Sequence, residues 1–171
     1  MTGPRPARFG RAKIQPLASG AYRPSDAGQW AVVLEVRDRH NELADLVAWL
    51  PDDPGHWWLR HGDETPLLGA RALAFAADGV GPVTLLPTPE AWLFAHRERP
   101  KLDAGMIGTE VYVGPGAVVC IMDWGVDLAP LFDGVLRVDC DSPELQKRLQ
   151  RSLRAREPRI TAPRQGASRA A

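Results

Sequence analysis

The sequence lacks long apolar runs and contains little cysteine, and both absences restrict where the protein acts. No run of about 18 apolar residues occurs, so we expect no association with a membrane. The basic N-terminus is not followed by an apolar segment, which disfavours a secretory signal. The two cysteines, Cys120 and Cys140, fall in or at the end of predicted strands. We interpret them as reduced residues of a cytoplasmic protein, with a disulfide between neighbouring strands as the alternative.

Common catalytic and cofactor-binding signatures are also missing. The sequence contains no GxGxxG, no Walker A motif, no GxSxG and no HExxH. Its few cysteines and scattered histidines give no zinc-binding spacing. The five serines lie near the N-terminus, in or beside the last predicted helix, or in the C-terminal tail, and none sits on an obvious nucleophile turn. We therefore expect no bound cofactor, and a serine hydrolase is disfavoured.

Charge is balanced in total but segregated along the chain. Basic and acidic residues number 21 each, yet residues 1–25 carry +5, residues 26–144 carry −12 and residues 145–171 carry +7. Basic ends of this kind often meet polyanions, so nucleic acid is a possible partner. There are two alternatives: the basic ends only keep the chain soluble, or they fold back on the acidic body.

The apolar pattern predicts an α/β protein with one mixed sheet. Three strands joined by short connections predict an N-terminal antiparallel meander. Strands that alternate with helices then predict parallel β-α units, with helices on both faces of the sheet. The predicted strands are 30–36, 43–50, 56–60, 82–86, 117–122 and 135–138, and the predicted helices are 65–78, 88–96, 142–156 and a short piece at 127–132.

Composition also suggests how the chain is divided. Residues 1–29 are rich in proline, glycine, alanine and arginine and show no apolar period, which predicts a flexible basic arm. Residues 30–157 are predicted to form a single α/β domain, with 97–116 as a surface loop or small hairpin. Residues 158–171 are predicted to be a basic disordered tail.

Acidic residues follow several predicted strands. Glu90 comes after strand 82–86, Asp123 after strand 117–122, and Asp139 and Asp141 after strand 135–138. If these strands are parallel, the four carboxylates lie at one edge of the sheet. Clustered carboxylates bind Mg²⁺ or Mn²⁺ for phosphoryl-transfer chemistry. Alternatively, these residues are a first-turn helix acid, ordinary strand-end acids and an N-cap.

The order of Glu90, a strand and Asp139-x-Asp141 resembles the Toprim domain of primases, topoisomerases and related nucleases, over residues 82–156. The resemblance implies that Glu90, Asp139 and Asp141 bind Mg²⁺ and that the protein acts on nucleic acid. The glycine that commonly accompanies the family's glutamate is replaced by Thr88-Pro89, and no glycine follows Asp141. The resemblance is therefore to a degenerate Toprim-like domain.

Four short segments carry a second resemblance. Residues 57–63, 68–73, 88–93 and 120–124 resemble small uncharacterised proteins of bacterial prophages and mobile elements. This resemblance implies an accessory role and assigns no function to any residue.

Aromatic and arginine residues supply the binding candidates. Trp57 and Trp58 are adjacent in a predicted strand, so they face opposite sides, and both are candidates for binding a protein partner. The last helix has an apolar stripe of leucines with basic residues mostly off it. We predict a non-enzymatic accessory protein that contacts a protein partner, with nucleic acid as a second candidate partner; a Toprim-like Mg²⁺-dependent enzyme is the alternative. The predicted nucleic-acid-binding residues are Arg148, Arg151, Arg154 and Arg156.

Overall fold

The computed structural model describes residues 8–62, 66–78, 81–98 and 117–154, with the backbone alone for Phe75, Arg97 and Glu98. The predicted tail 158–171, most of the predicted loop 97–116 and Arg156 lie outside these residues.

The first half of the described chain forms a five-stranded antiparallel sheet with strand order β2-β1-β3-β4-β5. Its two central strands, β3 and β4, are rich in valine and leucine, which favour extended backbone on a half-buried surface. The strands are β1 (Phe9–Pro16), β2 (Tyr22–Pro24), β3 (Gln29–Arg37), β4 (Leu43–Leu50) and β5 (Asp53–Leu59).

This sheet curls until its two edges meet. Ala21, beside β2, and Leu59 of β5 form a parallel β-bridge that joins the two edge strands. The sheet therefore approaches a closed barrel with its own core. The fully buried residues of that core are Ile14, Tyr22, Ala31 and Ala48.

The second half forms a separate four-stranded sheet with strand order β6-β8-β7-β9. Strand β7 pairs in parallel with both β8 and β9, whereas β6 pairs antiparallel with β8. The strands are β6 (Leu67–Leu68), β7 (Val83–Leu86), β8 (Ala117–Ile121) and β9 (Val138–Cys140).

The apolar strand β8 separates two hydrophobic cores. Val119 and Ile121 point into a core with helices α1 (Ala70–Ala77) and α3 (Pro143–Arg154). Cys120, on the opposite face, points into a core that contains Trp92 and Leu93 of helix α2 (Pro89–Glu98) together with Leu34 and Trp49 of the first sheet. The outer face of the barrel therefore packs against the second sheet, with α2 in their shared core.

Short-range signals explain where the helices begin. The Thr88 hydroxyl accepts a hydrogen bond from the N–H of Ala91 at 3.1 Å, so Thr88 is the N-cap of α2 and lies at the predicted start of that helix. The predicted helix at 127–132 is a 3₁₀ turn, Ala129–Leu131. Among the described residues, no helix is long and apolar enough to cross a membrane.

The prediction of one mixed sheet was wrong, although the α/β class and the antiparallel run β3-β4-β5 are confirmed. The described strands form two sheets because the barrel closes on itself through the Ala21–Leu59 bridge. Its contact with the parallel strands is made by side chains in a shared core.

The predicted flexible arm, residues 1–29, also needs correction over the part that the structure describes. Strands β1 and β2 lie within it, and β1 pairs with β3 from Phe9 to Ile14. The strand was missed because Gly10 and Ala12 are weak strand formers. Ile14 nevertheless fills the barrel, so tertiary packing overrides the low local propensity.

Replacing Gly69, the residue between β6 and α1, tests how closely this connection packs against β8. It has φ +83°, and a Cβ atom there would collide with the carbonyl oxygen of Val118 in β8. We expect Gly69→Ala to lower the free energy of unfolding by about 3 kcal/mol, measured by urea denaturation. Gly20→Ala is the matched control, because Gly20 shares φ +83° but faces open space, and should cost about 1 kcal/mol. Equal losses in the two variants would contradict the close packing of α1 on β8.

Candidate functional site

Leucines hold helix α3 against the second sheet. The Ser142 hydroxyl accepts a hydrogen bond from the N–H of Leu145 at 3.2 Å, so Ser142 is the N-cap. Leu145 and Leu149 are buried, and Leu153 packs against the same core. These contacts fix which side of α3 faces solvent.

The basic residues of α3 divide into two groups. The guanidinium of Arg148 lies over the ring of Trp124, 4.3 Å from its centroid, and this cation–π contact ties Arg148 to the body. Lys147, Arg151 and Arg154 are exposed. Because residues three and four apart share a helix face, these three form one stripe opposite the leucines. The stripe therefore faces solvent, and within it Nε of Arg151 donates a hydrogen bond to the carbonyl oxygen of Lys147 at 3.3 Å.

The acidic candidates occupy three different settings. Glu90 lies in the first turn of α2. Asp139 lies within β9, opposite Thr84 of β7, and accepts a hydrogen bond from Nε of Arg137 at 2.9 Å. Asp141 follows β9.

The described residues contain no group of three or more His, Cys, Asp or Glu side chains that could hold a metal ion. Strands β7, β8 and β9 are parallel, as the acidic hypothesis required. However, β9 begins three residues later than predicted, at Val138, so Asp139 lies inside the strand rather than beyond its end. Glu90, Asp139 and Asp141 are therefore not brought together as one metal site.

The tryptophan pair of β5 faces two different cores. Trp57 packs against the core shared by the two sheets, and its Nε1 donates a hydrogen bond to the carbonyl oxygen of Met122 at 3.2 Å. Trp58 packs against the core inside the barrel. The predicted opposite orientation is confirmed, and both rings are half-buried.

A cleft of about 470 Å³ opens where the barrel edge meets the end of β8. Apolar side chains form part of its wall, including Trp57 and Leu59 of β5. Its polar side chains are Ser19 from the β1–β2 turn, His61 after β5, and Asp123 after β8. The cleft thus lies at the carboxyl end of a central strand, where open α/β sheets commonly bind ligands.

A buried carboxylate supports the wall of this cleft. Asp45 of β4 is 4% exposed and accepts hydrogen bonds from the N–H groups of Gly62 at 2.9 Å and His61 at 3.1 Å. Nδ1 of His61 lies 3.4 Å from the same carboxylate, while its ring remains exposed. The Asp45 contact spans 16 residues and has no local sequence signal.

Burial raises the pKa values of one tyrosine phenol and of both cysteine thiols. Burial raises the pKa of Tyr22 to about 12, and the negative charge of Asp45 adds to the effect while Arg60 opposes it. Burial raises the pKa of Cys120 to about 12, and burial with the neighbouring Asp139 raises the pKa of Cys140. Both cysteines are free, as predicted. Neither thiol has the lowered pKa of a catalytic nucleophile.

No family model, curated protein or solved structure matches this chain. The resemblances to Toprim domains and to mobile-element proteins therefore rest on the quoted residues alone.

Tyr22 gives a pH-dependent test of the barrel core. Its hydroxyl is buried and finds no hydrogen-bond partner in the described part of the chain. We expect Tyr22→Phe to leave stability at pH 7 unchanged or to raise it by up to about 1 kcal/mol. The folded phenol has a pKa of about 12 against 10.0 for the free group. The unfolded state therefore loses this proton first, and the stability of the wild-type protein falls as the pH rises from 10 to 12.

Urea denaturation of both proteins between pH 7 and pH 11.5 measures the effect. Other groups titrate alike in the two proteins, so their stability difference isolates Tyr22. A difference that stays constant above pH 10 would contradict the buried, neutral phenol.

Proposed function

We propose that this chain is a non-enzymatic binding protein that contacts nucleic acid through the exposed stripe of α3. The observation that carries the proposal is the position of Lys147, Arg151 and Arg154, which are exposed on a helix anchored by buried leucines. A polyanion is the natural ligand for cations arranged in this way.

The geometry of the stripe supports phosphate contact. Its three charges lie within about 10 Å of helix length, because each residue rises about 1.5 Å. Glu144 is the one acid of the helix and lies in its first turn, where the helix dipole favours negative charge. The last turn, by contrast, contains Arg151 and Arg154. Positive charge is therefore concentrated towards the end at which the basic C-terminal segment of the sequence begins.

A protein partner is the second part of the proposal. Of the two candidate tryptophans, Trp57 lines the cleft, whereas Trp58 packs inside the barrel. Trp57 is therefore the better placed to meet a partner, and the accessory role suggested by the mobile-element resemblance requires such a contact. Two of the cleft's polar side chains, His61 and Asp123, would orient the bound partner.

The stripe is tested with the double variant Arg151→Gln/Arg154→Gln. Binding of the full-length protein to a fluorescein-labelled 20-base-pair duplex is measured by anisotropy at several salt concentrations, with and without Mg²⁺. We expect roughly tenfold weaker binding, and a salt slope reduced by about 1.8 because two phosphate contacts are lost. Arg148 is left unchanged, since its contact with Trp124 would confuse binding with stability.

The matched control is Arg39→Gln/Arg137→Gln, which removes the same charge from two exposed positions elsewhere. It also removes the Arg137–Asp139 ion pair, but exposed pairs of this kind contribute little to stability. Equal weakening by both double variants would reduce the effect to net charge and contradict a specific surface. Binding that requires Mg²⁺, together with cleavage of the duplex, would instead favour the metal-dependent enzyme.

A further inference from the structure

The outer face of the five-stranded sheet is only partly covered. Leu34 and Val36 of β3 and Val47 and Trp49 of β4 are buried against the second sheet and α2. The same face continues across β1 and β2, where its side chains are exposed. An uncovered area therefore remains beside the junction of the two sheets.

The strand register identifies the side chains on this area. Directly paired residues of antiparallel strands share a face, and Arg11 pairs with Val32 while Lys13 pairs with Trp30. Two residues after Lys13, Gln15 is paired with Arg23 of β2. We call the exposed group Arg11, Lys13, Arg23 and Trp30 the β1–β3 platform.

Trp30 is the aromatic centre of the platform. It is 60% exposed, whereas Trp49 of the adjacent strand is 1% exposed. The Lys13 ammonium lies 5.6 Å from the Trp30 ring centroid, near the outer limit of about 6 Å for a cation–π contact. A flat ring can therefore replace the ammonium over the indole while Lys13 stays within reach of a neighbouring anion.

The cations beside Trp30 are already oriented. Nε and a terminal nitrogen of Arg23 donate hydrogen bonds to the Gln15 side-chain oxygen at 3.0 and 2.8 Å, which holds the guanidinium over the sheet. The Lys13 ammonium donates to the carbonyl oxygen of Asp26 at 3.1 Å, leaving further protons for an anion. Asp26 is the acidic residue of this loop, and its backbone rather than its carboxylate makes the contact.

We propose that the β1–β3 platform binds single-stranded nucleic acid, with a base stacked on Trp30 and phosphates paired with Arg11, Lys13 and Arg23. An exposed aromatic ring among cations on a sheet is the combination that single strands require, because every base has a stacking face and every nucleotide a phosphate. Bases inside a duplex are stacked on each other, so a duplex cannot use Trp30. This inference rests on the proposed function, since it takes the same class of ligand.

The test uses the full-length protein and fluorescein-labelled oligo(dT) of 20 nucleotides, with a duplex of equal length for comparison. We expect Trp30→Ala to weaken oligo(dT) binding roughly tenfold without changing its salt slope or duplex binding. Trp30→Phe should restore most of the affinity because it keeps an aromatic face. Lys13→Gln should lower the salt slope for oligo(dT) by about 0.7. The control is Phe94→Ala, which removes a 55% exposed aromatic side chain from α2.

The outcomes separate this inference from the proposed function. Equal oligo(dT) binding by Trp30→Ala and Phe94→Ala overturns the platform, and the α3 proposal then stands if Arg151→Gln/Arg154→Gln still weakens duplex binding. Loss of oligo(dT) binding in Trp30→Ala, with full duplex binding by the α3 variant, supports the platform and overturns the helix. A wild-type protein that binds neither ligand at low salt overturns both.

Discussion

The structure depends on one constraint, which is that strand β8 is apolar on both faces and must be covered on both. Helices α1 and α3 cover the face of Val119 and Ile121, while α2 and the barrel cover the face of Cys120. The barrel meets this need with β3, β4 and β5 only. Its attachment therefore leaves the outer faces of β1 and β2 exposed, and their basic side chains form a surface beside the contact between the two sheets.

Part of the basic N-terminal segment, predicted to be a flexible arm, forms strands β1 and β2. A flexible basic arm must lose conformational freedom each time it binds, whereas cations on a sheet have lost much of it on folding. Arg11 and Lys13 belong to the second kind because β1 is paired on both sides, and Arg23 does because β2 pairs with β1. The acidic body is not their counterpart, since Arg23 is held by Gln15 and Lys13 by a backbone carbonyl.

Strong local signals predicted much of the fold. The bounds of β4 could be predicted because a run rich in leucine favours a strand without help from distant residues. The starts of α2 and α3 could be predicted because the Thr88 and Ser142 hydroxyls accept hydrogen bonds from backbone N–H groups three residues on. Strand β1 and the division into two sheets could not be predicted, because both depend on pairing between residues that are distant in sequence. For the candidate site, a three-residue error at the start of β9 was enough to misplace Asp139. The Asp45–His61 contact likewise joins residues 16 apart.

The two proposed surfaces differ in what they can recognise. The sequence of α3 contains no aromatic residue, and the nearby Trp124 is already covered by Arg148. The helix stripe can therefore sense phosphate alone, which single strands and duplexes share. The β1–β3 platform adds the exposed indole of Trp30, on which an unstacked base can stack in place of the distant Lys13 ammonium. Under the two proposals, discrimination between single and double strands comes from the sheet, and the helix adds affinity that is independent of strandedness.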